Sequence, residues 1–76
     1  MKVEISELLP LFRNAFNNQD LSITEKSDRH SIAEWDSMGH LNLIVELEDN
    51  LNVSFTKDEI ESIRSIKELM EILESK

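Results

Sequence analysis

Gly39 and Pro10 are the only glycine and the only proline in 76 residues, which leaves a sheet protein little with which to turn its strands. Apolar residues recur at three- and four-residue steps nearly throughout, and the fold class expected is all-α. Near the start, Ile5, Leu8, Leu9, Phe12 and Phe16 mark an amphipathic helix over roughly residues 4–17. Pro10 interrupts it, so either Ser6 caps a later start or the helix bends at the proline. The polar stretch from Asn17 to Trp35 reads as a long loop pinned by Leu21, Ile23, Ile32 and Trp35. A second helix starts at Asp36-Ser37 and runs to about Leu51, with Leu43, Ile44, Leu47 and Leu51 on its core face. Thr56 and Glu59 have the spacing of a capping box, with Phe55 and Ile60 at the positions of a hydrophobic staple. Ser65 and Glu68 repeat the box nine residues on, so the third helix is short. Ile66, Leu69, Met70 and Leu73 give the last helix its stripe. The expectation is a small four-helix bundle, three longer helices and one short one, forming a single domain over residues 1–76.

Composition narrows the function. Sixteen acidic against eight basic residues leave a net charge of −8, which repels a phosphate backbone and an anionic membrane surface and argues against both as partners. The charge is uneven: residues 1–30 carry a net −1, whereas residues 31–76 hold eleven acids against four bases, a net −7. A half-chain so charged suits steering of basic partners. Without cysteine there is no disulfide framework and no thiolate metal site. No run approaches the ~18 apolar residues of a membrane span, and the N-terminus leads into no signal-peptide core. The cytoplasm is the compartment expected, and a monomer the expected state.

A catalytic reading fails on geometry. Asp36, Ser37 and His40 resemble an acid, nucleophile and base, but Asp36 at the cap cannot orient the far nitrogen of a histidine one turn along. No nucleophile elbow occurs either. His30 and His40 are too isolated to ligate a metal and read as solvent-facing residues. What stands out is Ser37, a hydroxyl in the first turn of a helix after a long loop, where unpaired N–H groups and the positive end of the helix dipole would favour a phosphate ester. Its ordinary use would be as a cap, but Asp36 beside it can do that.

Asp36-Ser37-Met38 with Leu41, followed by Leu43-Ile44-Val45-Glu46-Leu47-Glu48, resembles the serine motif and second helix of acyl carrier proteins. The similarity continues through Leu51, Phe55, Ile60, Ile63, Ser65-Ile66, Met70 and Leu73; it covers residues 32–76 well and residues 1–31 only as helix and loop. The resemblance implies no enzyme activity of the chain's own. It implies a 4'-phosphopantetheine arm on Ser37, taken from coenzyme A by a phosphopantetheinyl transferase, and acyl or aminoacyl thioesters on that arm. A loading ligase or synthetase and downstream acyl-transferring enzymes are the other partners implied. Asp36, Met38, Leu41, Val45, Glu46, Glu48, Asp49 and Ile60 would be the contacts, with Met38, Leu41 and Val45 as an exposed stripe; spacing alone fits a core stripe nearly as well. Glu46, Glu48 and Asp49 also form an acidic cluster near which magnesium is expected to lodge. Ile32-Ala33-Glu34-Trp35-Asp36 replaces the D-L-G-A-D common before the serine in fatty-acid-synthesis members, and Gly39 and Asn42 stand where those are often acidic. The run looks more like stand-alone carriers of specialised pathways. From a different class, an acidic helical inhibitor or immunity-type protein on a basic partner would explain the charge, but not the accessible serine.

Overall fold

The computed structural model describes residues 1–76 as four helices: α1 (Ile5–Ala15), α2 (Ser37–Leu51), α3 (Lys57–Ser62) and α4 (Ile66–Glu74). The all-α expectation holds, and the only pairing of strand type is an isolated antiparallel bridge between Asp28 and Ser65. Helix α1 runs through Pro10, which faces solvent. Ser6 is not its cap: the N-cap is Glu4, whose carbonyl accepts from Glu7 and Leu8 N–H while its side chain caps nothing. The buried face is Leu8, Leu11, Phe12 and Phe16, so Leu11 takes a core place while Ile5 and Leu9 are only half-buried. Asn17 at φ 51° ends the helix, donating to Asn14 while Asn18 donates to Arg13, a Schellman closure with asparagine in the left-handed position usually taken by glycine.

Asp36 caps α2, its carboxylate accepting from Gly39 N–H at 2.8 Å. Leu43, Ile44 and Leu47 are buried against the other helices and Leu51 is half-buried. Thr56 and Glu59 form the complete capping box of α3. The box expected at α4 is only half made. Ser65 Oγ accepts from Glu68 N–H, but the Glu68 carboxylate reaches past Ser65 to the N–H of Arg64. At α3 Lys76 Nζ pairs with Glu59 at 2.9 Å and sits 5.2 Å from the Phe55 ring centroid. The Glu59 carboxyl titrates below its ordinary range, chiefly because of the Lys76 hydrogen bond and then the Thr56 N–H.

The 21 residues between α1 and α2 are held to the bundle by Ile23, Ile32 and Trp35, all buried, with Leu21 half-buried. Asp28 organises the middle of this loop, its carboxylate accepting from His30 and Ser31 N–H. On either side of the bridge, Arg29 N–H donates to the Arg64 carbonyl and Ile66 N–H to that of Ser27. These two bonds fix the register of the loop against the α3–α4 connection.

Candidate functional site at the start of helix 2

The last turn of the loop and the first turn of α2 are one packed unit. Trp35 lies 2% exposed, edge-on to Phe12 at 5.4 Å between centroids and nearly coplanar with His40, whose centroid is 6.3 Å away at an inclination of 21°. Its indole Nε1–H donates to His40 Nδ1 at 2.9 Å. The indole nitrogen can only donate, so His40 Nδ1 accepts and its proton sits on Nε2. From there it donates to the Ile60 carbonyl at 2.7 Å. His40 is therefore a buried strut, 7% exposed, joining the loop, α2 and α3. This corrects the expectation of a solvent-facing histidine; only His30 is exposed. The physical reason is that the ring accepts the Trp35 hydrogen bond at the indole edge and passes one on to the Ile60 carbonyl, a pair of bonds that solvent exposure would forfeit. With both ring nitrogens occupied, His40 cannot activate Ser37.

The chain's single glycine also belongs to this unit. A Cβ on Gly39 would lie 1.9 Å from the Glu34 carbonyl oxygen and 3.2 Å from the Phe16 ring. The loop backbone passes so close to α2 that only glycine fits.

Ser37 is the first residue of α2 and is exposed, its capping duty taken by Asp36. It opens onto a shallow depression of about 430 Å³, lined also by Arg29, His40, Ile60, Glu61 and Arg64. Next to it, Met38, Leu41 and Val45 are 69%, 56% and 56% exposed, so this stripe faces solvent and is not core. Asp36 is exposed at its head; Asp49 is exposed and ends it, four residues beyond Val45. Ile60, half-buried, faces the depression. The acidic cluster does not form as expected. Residues two apart on a helix point to different faces: Glu46 accepts from the Asn50 side chain, whereas Glu48 accepts from Phe55 N–H at 3.0 Å and ties α2 to the following turn. No group of three acids or histidines converges anywhere in the chain. Magnesium lodging near Glu46, Glu48 and Asp49 would therefore be held by their field and not by a converging set of ligands.

The chain superposes with a TM-score of 0.83 on the solution NMR structure of holo acyl carrier protein from Geobacter metallireducens, at 29% identity, covering 95% of this chain and 83% of the other. The likeness supports the resemblance to acyl carrier proteins. No family model matches the chain, and no curated protein matches it. That likeness supports a carrier role in general, in company with enzymes rather than as one. No helix of the chain is long and apolar enough to cross a membrane.

Sequence reasoning missed the Trp35–His40 strut, the reason for Gly39, and the arginines beside Ser37. A signal for the first was present: a tryptophan just ahead of the cap and a histidine on the first turn both end at the same place. Nothing in the spacing indicates that residues 29 and 64, far apart in the chain, would meet.

Proposed function

We propose that Ser37 carries a 4'-phosphopantetheine arm and that the chain holds acyl or aminoacyl groups on it as thioesters for delivery to partner enzymes. The observation that carries this reading is Ser37 itself: an exposed hydroxyl at the head of α2, relieved of capping by Asp36, in a fold shared with a holo acyl carrier protein. In the loading step the Ser37 oxygen attacks a phosphorus of coenzyme A, a phosphoester forms, and the nucleotide portion leaves on the other phosphate. The transferase supplies the base that takes the hydroxyl proton. This chain's part is to present the oxygen on a rigid turn, held by the Trp35–His40 strut and the contact of Gly39 with the loop backbone.

Met38, Leu41 and Val45 form the surface the transferase, a loading ligase or synthetase and downstream enzymes would contact, flanked by Asp36, Asp49 and Glu46, with Ile60 across the depression. Methionine suits a surface that meets several partners. Glu48 contributes to the local field, its carboxylate already engaged by Phe55 N–H. Trp35 before the motif, and a Gly39 that the loop path requires, support service in a specialised pathway rather than fatty-acid synthesis. The test is intact mass after incubation with coenzyme A and a broad-specificity transferase. Wild type gains one arm and folded Ser37→Ala gains none; a mass gain in the alanine variant refutes the assignment.

A further inference from the structure

The two arginines beside Ser37 are placed by the loop bridge. Asp28 and Ser65 oppose each other, and the Arg29 N–H bond to the Arg64 carbonyl, 3.1 Å, makes Arg29 and Arg64 the next opposed pair. Directly opposed residues of an antiparallel pair present their side chains to one face, and like charges so placed are destabilising. Neither guanidinium is taken up by an ion pair within the chain. Its ion pair is Lys76 with Glu59; Glu61 lines the same depression and pairs with neither arginine. Arg29 is aimed by its Nε–H, which donates to the Trp35 carbonyl at 3.3 Å, leaving its Nη–H donors open. Arg64 is exposed. Both arginines line the depression onto which Ser37 opens. In a chain of net −8, this is a local cationic pair beside the exposed Ser37.

We propose that Arg29 and Arg64 form an anion clamp for the phosphodiester of the arm, holding the phosphate next to Ser37 so that the arm leaves the protein in a fixed direction. A guanidinium matches two phosphate oxygens with parallel N–H donors. A phosphate esterified to the Ser37 oxygen enters this depression because its anchor lines it. The apolar lining is limited to Leu41 and Ile60, which suits a polar ester rather than a buried hydrocarbon. The clamp rests on the arm proposed above.

The experiment compares holo wild type, Arg64→Gln and Arg29→Gln/Arg64→Gln, each checked for one arm by intact mass and for folding by circular dichroism, using the 31P resonance of the phosphodiester. The clamp predicts a wild-type resonance displaced from that of the double variant, with Arg64→Gln between them. Raising salt to about 1 M, where the Debye length is ~3 Å, moves the wild-type signal toward the double-variant position. Coincident resonances in folded, loaded wild type and Arg64→Gln overturn the clamp and leave the arm standing. Should Arg29→Gln unfold the loop, the Arg64→Gln comparison decides alone, since that side chain is exposed. Absence of any mass gain at Ser37 overturns both the arm and the clamp.

Discussion

Replacing His40 by phenylalanine keeps an aromatic ring beside Trp35 but removes both hydrogen bonds of the strut. The Trp35 Nε1–H and the Ile60 carbonyl are then stranded. A buried polar group left unpaired costs about 1–3 kcal/mol, so the variant loses about 2–6 kcal/mol. Stability of about 0.05–0.15 kcal/mol per residue gives a chain of this length roughly 4–11 kcal/mol in all. Trp35→Phe strands only His40 Nδ1. The double variant retains neither partner of the Trp35–His40 bond, so only the Ile60 carbonyl remains unpaired. The single variants strand three groups between them and the double variant one, so the losses must fall short of additivity by two groups, about 2–6 kcal/mol. Urea unfolding read by far-ultraviolet ellipticity measures all four proteins alike; Trp35 fluorescence, the chain's only tryptophan signal, adds a second probe where it is present. If the single losses add to within about 0.5 kcal/mol, the strut does not couple these residues.

Leu47 is fully buried and Leu41 56% exposed, so Leu47→Ala loses about 2–5 kcal/mol and melts far below Leu41→Ala by calorimetry; equal melting would reverse the assigned faces of α2. Gly39→Ala, whose Cβ would strike the Glu34 carbonyl, lowers the melting temperature and reddens Trp35 fluorescence as the loop shifts. Glu59, depressed by Lys76 and Thr56, stabilises the fold above its ordinary value of 4.5, and that stability is lost as pH falls through its lowered folded value. The melting-temperature gap between wild type and Glu59→Gln should therefore close on acidification from pH 7; a gap that widens contradicts the pairing. Salt raised from about 0.01 M to 0.15 M shortens the Debye length from ~30 Å to ~8 Å. The melting temperature should rise as the acids are screened while the second-order rate of Ser37 modification by a basic transferase falls; a salt-independent rate removes the steering role.

Where the local code is strong, the fold was legible in the sequence. Thr56 with Glu59 and Asp36 before Ser37 gave helix starts that needed no tertiary information, and the Leu69–Leu73 spacing gave the core face of α4. Long-range pairings broke the local rules. The Glu68 carboxylate takes the N–H of Arg64 and the hydroxyl of Ser65 in place of the Ser65 N–H, and α1 continues through Pro10 on its exposed side. Ser37 was visible as a residue out of place among ordinary caps. His40 was not, because its burial depends on how the loop lays Trp35 against α2, and the Arg29–Arg64 juxtaposition depends on a bridge between residues far apart in sequence.

Trypsin leaves the segment from His30 to Lys57 as one peptide containing three serines, Ser31, Ser37 and Ser54. After loading with coenzyme A and a transferase, fragmentation of this peptide locates the arm. The account predicts a single phosphopantetheine on Ser37, with Ser31 and Ser54 unmodified. An arm on either of the others, or none on a folded chain offered several transferases, contradicts the claim that the head of α2 is a carrier site.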